Sequence, residues 1–322
     1  MHRLWFRFLP LVLLLLAGPA LAQAPGDFNA WLQGFRQDAI GQGITANTLD
    51  SAFAGVKPIP RIIELDHTQP ESTLTFQQYM DRVVSQGRRD NARQRYADNK
   101  ALLDAVGQRY GVPPRFIVAL WGIETDFGRT IGTYPVVASL ATLAFDGRRA
   151  AFFRKELINA LKIVQNDKVD PKTMIGSWAG AMGQSQFMPS SFLAYAVSYD
   201  GTGSPDIWSK PQDVFASIAN YLAKVGWQAD QGWGETVTLP AGFDSNLIGM
   251  PQKRSVGEWT NLGVRRLDGS TLGDGTQRAA IMQPGGATGP SYAVYDNYGV
   301  ILRWNNSSYF ATAVGTLADS IN

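Results

Sequence analysis

The chain contains no cysteine and only two histidines, His2 and His67. Without a thiol there is no disulfide and no cysteine to carry a lipid. So few histidines also exclude histidine-based zinc sites and the Ser-His and Cys-His pairs of nucleophilic catalysis. Any acid–base chemistry then falls to carboxylates, lysines or tyrosines. A charge surplus is missing too. Lys and Arg number 29 against 27 Asp and Glu, and Arg3 and Arg7 lie in the first 22 residues, which hold no acid. The remainder carries 27 of each sign, which is not the basic excess of a nucleic-acid binder.

Long apolar runs are scarce. Leu9 to Ala17 (LPLVLLLLA) follows Arg3 and Arg7 and precedes Ala20-Leu21-Ala22. This is the order of an export signal: a positive start, an apolar stretch and a small-residue cleavage pattern before Gln23. The run falls short of the roughly 20 residues that span a bilayer. Residues 1–22 are therefore expected to be removed, leaving a soluble periplasmic protein with no lipid anchor.

The whole chain has 322 residues and 45% hydrophobic content, enough for one large core or two to three smaller ones. Helical spacing runs through 27–41 and 46–53, KPIP at 57–60 interrupts it, and 61–75 reads as a polar connection. Helical periodicity returns over 76–110 with an interruption near Gly87. It then recurs at about 115–126, 135–145, 149–165, 189–198, 211–225 and 308–321. Between Thr236 and Val300 short strand-like runs (VTLP, GVRRL, RAAIMQ, SYAVY) alternate with Asp-Gly and Gly-Gly turns. The expected class is mainly α (α+β). Its parts are a helical N-terminal region over 23–75, a helical core over 76–235, a small β-rich domain over 236–300 and a C-terminal segment over 301–322.

Four stretches carry chemistry. FIVALWGIETDFG (116–128) ends an uncharged helical run on Glu124. Either this carboxylate is solvated at a helix end, or apolar neighbours desolvate it and raise its pKa, which would make it a general acid. Asp126, two residues on, would face away in a continuing helix and reads as structural. GSWAGAMGQSQFMPSS (176–191) mixes glycines with Ser177, Gln184, Ser185 and Gln186. Composition favours a close packing seam, and its neutral hydrogen-bonding groups would also suit a sugar. YDGTGSPDIW (199–208) matches no calcium-loop register and reads as a turn. LRWNNSSYF (302–310) puts Asn, Ser and aromatic residues before a helix, as a cap at Ser307 or as a sugar-stacking face.

Together these stretches resemble the B family of soluble and membrane-bound lytic murein transglycosylases. IETDFG, LATLAFDGRR (140–149), the 176–191 block, DIW (206–208), IANYL (218–222) and RWNNSSYF occur in order, from about residue 27 to the C-terminus. The resemblance implies a lysozyme-like helical core. It also implies cleavage of the β-1,4 bond between N-acetylmuramic acid and N-acetylglucosamine without water, leaving a 1,6-anhydro end. One glutamate then acts as acid and base with help from the substrate's acetamido group, where ordinary glycosidases use two carboxylates. A hydrolytic muramidase and a non-catalytic peptidoglycan-binding scaffold are the alternatives.

Carried over residue by residue, Glu124 matches the acid/base and Ser177 a serine near the acetamido group. Gln186 matches a sugar-contacting glutamine, and Arg148 and Arg149 a pair facing substrate carboxylates. Tyr79, Tyr221 and Asn305 match cleft residues. Trp304 and Phe152 stand where tyrosines are expected, so these rings are expected to stack without hydrogen bonding. Ser198 and Ser209 stand where family members with calcium have aspartates, so neither a metal nor another cofactor is expected. The implied partners are peptidoglycan glycan strands, with cell-wall synthesis proteins as further candidates.

Overall fold

The computed structural model describes residues 27–68, 74–272 and 275–321. The export signal expected over 1–22 lies outside them. Among the described residues no helix is long and apolar enough to cross a membrane.

The N-terminal helices are α1 (Phe28–Gly41), α2 (Ala46–Ala52) and α3 (Pro60–His67). The third corrects the expectation of a connecting stretch. Its charged sequence hides a periodicity in which Ile62 and Asp66, one turn apart, are both buried. Next come α4 (Phe76–Val83), α5 (Gln86–Asp98) and α6 (Lys100–Tyr110). The break expected near Gly87 falls at Ser85, whose side chain caps α5. Then follow α7 (Pro114–Thr125), β1 (Tyr134–Pro135), α8 (Val136–Asp146), α9 (Ala150–Asn166), β2 (Ile175–Gly176), α10 (Pro189–Tyr195) and α11 (Pro211–Lys224).

Helix α7 is the hub. Pro114 starts it with a ring suited to a first helical turn. Phe116, Ile117, Val118, Ala119 and Leu120 are all fully buried, and α5, α6, α11 and the final helix surround it. Each large apolar side chain buried this way contributes about 1.5–3 kcal/mol, so α7 is fixed far more firmly than its own propensity would hold it.

The β-rich part is one five-stranded antiparallel sheet. Its strands are β3 (Gly234–Thr238), β4 (Arg254–Ser255), β5 (Arg265–Arg266), β6 (Arg278–Met282) and β7 (Ser291–Val294), in the order β4-β6-β7-β3-β5, with α12 (Val256–Asn261) beside it. Alternation along β7 sends Tyr292 and Val294 into the large helical core and Ala293 into a smaller core with Ile281 and Trp259. The central strand is therefore buried on both faces, as its unbroken apolar run requires. Helix α13 (Asp296–Trp304) begins before residue 300, so the last residues of the expected β-rich domain are helical. Helix α14 (Ser308–Asp319) ends the fold, and the Ser307 side chain caps it.

Candidate active site

Helix α7 stops abruptly. Asp126 (φ 50°) and Phe127 (φ 60°) both take left-handed conformations that non-glycine residues avoid. Each costs on the order of 1–3 kcal/mol and persists only where the surroundings impose it. Thr125 does much of the imposing. Its buried hydroxyl donates to the main-chain oxygen of Gln184 at 2.9 Å and accepts from the Gly128 N–H at 3.1 Å. The Phe127 ring folds back onto Gly122, where any Cβ would lie 2.6 Å from it. Glu124, the penultimate helical residue, is thereby held at the edge of the core.

Its carboxyl has one protein hydrogen bond among the described residues. The indole Nε1 of Trp304, at the end of α13, donates to Oε1 at 2.7 Å. Burial raises the Glu124 pKa to about 7, against the pull of that N–H toward the ionised form. The residue as a whole is only half-buried at the helix end, but its carboxyl is desolvated, which accords with the second of the two sequence readings, a desolvated acid rather than a solvated glutamate. Trp304 corrects a further expectation. Losing a phenol at this position does not lose the hydrogen bond, because an indole N–H reaches the carboxylate instead.

An aromatic frame fixes Trp304. Tyr221 meets it edge-on at 4.7 Å and Phe187 lies at 5.3 Å. The Tyr221 hydroxyl donates to the Arg303 carbonyl at 2.7 Å, and burial pushes its pKa up to about 12. Tyr79, on α4, is half-buried. Its pKa is raised first by burial and then by the Glu124 charge, with Arg88 opposing. Tyr79 therefore lies within electrostatic reach of Glu124. Tyr309 packs edge-on against it at 5.6 Å.

The glycine-rich block is a packing seam. A Cβ on Gly176 would sit 2.0 Å from the Ala181 carbonyl. Gln184 is spent on structure, accepting from the Trp121 indole and donating to the Trp208 carbonyl, both at 2.8 Å. Ser185 is fully buried. Two polar side chains stay partly open. Ser177 Oγ accepts from Ala181 N–H at 3.1 Å, leaving its own proton and a lone pair free. Gln186, itself left-handed at φ 49°, pins its NH2 group to the Gly183 and Ile131 carbonyls, leaving its oxygen to accept from a ligand.

Arg148 and Arg149 are placed elsewhere. Both guanidinium groups clamp Asp66, which is 1% exposed, Arg148 through Nε at 2.8 Å. No hydrogen bond or ion pair joins either to Glu124 among the described residues. The two guanidinium groups share this one carboxylate on a half-exposed surface, and the Asp146 carboxylate, bonded to His67 at 2.8 Å, lies within 4.8 Å of it. Phe152 is exposed and meets Phe153 edge-on. Asn305 is exposed at the C-terminal cap of α13, next to Trp304. Asp126 pairs with Arg129 and lies 3.9 Å from Arg88, so it is turned away from acid–base work.

Sequence reasoning missed Phe187, Tyr309 and Arg88. The two aromatics stood in stretches already singled out. Arg88 sits in a helix so uniformly polar (QGRRDNARQRYAD) that nothing distinguishes it.

The transglycosylase SLT domain model matches residues 27–319. The chain belongs to that family. It is 36% identical over 226 residues to the membrane-bound lytic murein transglycosylase B of Escherichia coli strain K12, covering 68% of this chain and 60% of that protein. The chain thus spans about 60% of the length of that relative. The crystal structure of SltB3 from Pseudomonas aeruginosa in complex with NAG-NAM-pentapeptide superposes with a TM-score of 0.89 at 44% identity, over 92% of this chain and 80% of that one. The Escherichia coli lytic transglycosylase Slt35 in complex with calcium superposes with a TM-score of 0.78 at 29% identity, over 93% of this chain and 96% of that one. The resemblance read from the motifs and the lysozyme-like helical class both stand.

In the loop 198–209 the carboxylates are engaged. Asp200 Oδ1 accepts from the Ser198 hydroxyl at 2.7 Å and from the Thr202 hydroxyl and N–H at 2.8 and 2.9 Å. These bonds, the Thr202 N–H first, hold its pKa down to about 2. Asp206 accepts from the Trp208 and Ser209 N–H groups and from the Ser209 hydroxyl. Buried Asp213 takes the Tyr199 and Asp206 N–H groups.

Proposed function

We propose that the protein is a peptidoglycan lytic transglycosylase. It cleaves the β-1,4 bond between N-acetylmuramic acid and N-acetylglucosamine and leaves a 1,6-anhydromuramoyl end. The observation that carries this reading is a single glutamate poised near neutrality, bonded to Trp304 and to no other group among the described residues. The nearest acid in sequence, Asp126, is occupied by Arg129. A glycosidase that adds water ordinarily uses a second carboxylate on the other side of the scissile bond. One carboxyl suffices when the substrate supplies both the stabilising group and the nucleophile.

In the proposed reaction Glu124 gives its proton to the glycosidic oxygen as the bond to C1 breaks. The acetamido oxygen of the muramyl residue supports the positive charge at C1. The muramyl 6-hydroxyl then closes on C1, and its proton returns to Glu124. Protons balance and no water is consumed. A carboxyl with a pKa near 7 serves both steps, because it is protonated often enough to donate and basic enough to recover the proton. Ser177, with a free proton and a free lone pair, is suited to orient the acetamido group. Gln186 can accept from a sugar hydroxyl. Arg148 and Arg149, whose half-exposed guanidinium groups keep N–H donors beyond those held by Asp66, suit a lactyl or peptide carboxylate at some remove from the reacting bond. Glycan strands are the proposed partner and the periplasm the proposed location.

The 198–209 loop does not fit a calcium ion. Asp200 Oδ1 and both Asp206 oxygens already accept from hydroxyls and main-chain N–H groups, and serines occupy the ends that would have to supply charge. No step of the reaction needs the metal.

The deciding experiment is mass spectrometry of products from purified peptidoglycan. Anhydro ends, each one water lighter than the muramidase product, support the proposal. Reducing ends indicate a muramidase, and no release at all a binding protein.

A further inference from the structure

Trp304 and Glu124 are 180 residues apart in the chain yet meet at 2.7 Å. The chemistry of the donor gives this contact a direction. An indole N–H can only donate, whereas a phenol can donate or accept. A carboxylic acid facing an indole must offer a lone pair, so its own proton belongs on the other oxygen. Oε2 has no protein partner among the described residues. A carboxyl facing a phenol could instead turn its O–H onto the ring hydroxyl and store its proton internally.

We propose that Trp304 is a positioning residue that fixes the transferable proton of Glu124 on Oε2 and holds the carboxylate left after transfer. This deepens the transglycosylase reading and rests on it for the identity of the proton acceptor. Two features support it. The indole is held in place, because Tyr221 packs edge-on against it, Phe187 lies tilted beside it and the Tyr221 hydroxyl ties down the Arg303 carbonyl. The hydrogen bond also becomes charge-assisted, and so stronger, only once Glu124 has lost its proton. An interaction that grows as charge develops acts on the transition state more than on the ground state. It serves in the return step too, because the same oxygen, Oε2, stays free to receive the 6-hydroxyl proton.

Other titratable or charged groups around the pair would not mimic its titration. Tyr79 and Tyr221 have pKa values raised above the phenol range and stay neutral near pH 7. Asp126 is paired with Arg129 and lies 3.9 Å from Arg88.

The test uses the protein in four forms: wild type, Trp304→Phe, Trp304→Tyr, and the protein with Trp304 replaced by benzothienylalanine. The last keeps the bicyclic shape and removes only the N–H, so it stands if the phenylalanine variant folds poorly. Two readouts are taken: kcat and KM against pH on purified glycan strands, and titration of the Glu124 carboxyl by 13C NMR. Loss of the N–H is expected to move the Glu124 titration and the alkaline limb of kcat to higher pH. It should lower kcat roughly 10- to 100-fold, the span of one charge-assisted hydrogen bond, with KM little changed. Trp304→Tyr should restore part of the rate. An unchanged Glu124 titration in the benzothienyl form overturns the proposal, as does a loss confined to KM, which would make Trp304 a stacking wall. The NMR titration reads the hydrogen bond without turnover. Absence of anhydro product from the wild type would therefore overturn the functional reading separately.

Discussion

The hydroxyl of Thr125 and the main-chain oxygen of Gln184 meet at 2.9 Å, fastening the end of the glutamate-bearing helix to the glycine-rich block. This bond couples the position of Glu124 to those of Ser177 and Gln186. The same hydroxyl also accepts from Gly128 N–H. Thr125→Val has nearly the same shape and loses both bonds. It leaves a buried carbonyl and N–H unpaired, at about 1–3 kcal/mol. A lower melting temperature and a further drop in kcat at temperatures where the variant is fully folded are expected. Stability loss with unchanged kcat would mean that the coupling does not reach the site.

Glu124→Gln should remove turnover by a factor of roughly 10²–10⁴ or more, since an amide cannot donate and then recover a proton. It should also change how stability depends on pH. Burial holds the Glu124 carboxyl at about 7 against an ordinary 4.5. Between those values the unfolded chain releases this proton and the folded chain keeps it. The wild type therefore loses stability as pH rises from about 4.5 to about 7, and the loss is complete above that. Each tenfold change in proton affinity is worth about 1.4 kcal/mol, so the total is at most roughly 3.5 kcal/mol. Glutamine does not ionise and can still accept from Trp304. Calorimetry should find the variant gaining on the wild type across that window and staying ahead at pH 8. Parallel curves would show that Glu124 is solvated.

Much of this site was legible in the chain, for physical reasons that differ from residue to residue. An uncharged run from Phe116 to Ile123 had to be buried on every side, which made the glutamate after it conspicuous. The donor from Trp304 was not legible. It comes from a helix 180 residues away, and the missing phenol was read as a missing donor. Arg148 and Arg149 were singled out by motif, but the structure sets them apart from Glu124, and their shared hold on Asp66 depends on α3, a helix whose polar composition masked its buried face. The sheet was recognised by its alternation and turns, while its end blurred because α13 begins on a tyrosine- and valine-bearing stretch that suits either structure.

The loop from Ser198 to Ser209 should be indifferent to calcium. Asp200 and Asp206 already accept the hydrogen bonds that close it. Millimolar calcium or a chelator should leave the melting temperature unchanged, and calorimetric titration should give no binding heat. The double substitution Ser198→Asp with Ser209→Asp removes two donors and adds two charges. It should destabilise the metal-free protein and make its stability rise with calcium. A calcium-induced shift in the unmodified protein would contradict the fit drawn from these bonds.

Ser177→Ala tests substrate assistance. If the acetamido oxygen supports C1, a group must hold that amide in line, and the Ser177 hydroxyl has a proton and a lone pair for the task. Losing one such hydrogen bond should cost about 1–3 kcal/mol of transition-state stabilisation. The loss should fall mainly on kcat, because alignment matters most as charge develops at C1. It should also be smaller than for Glu124→Gln. The structure adds a complication. Ser177 Oγ also accepts from Ala181 N–H at 3.1 Å, so alanine leaves that N–H without its side-chain partner and could loosen the turn. Ser177→Cys separates the two effects. Its sulfur can still accept weakly from Ala181 but is a poor donor to a substrate oxygen. If the hydroxyl orients the substrate, both variants lose kcat while the cysteine variant keeps its melting temperature. If Ser177 serves only the turn, the cysteine variant keeps both, and the activity lost by the alanine variant follows its stability.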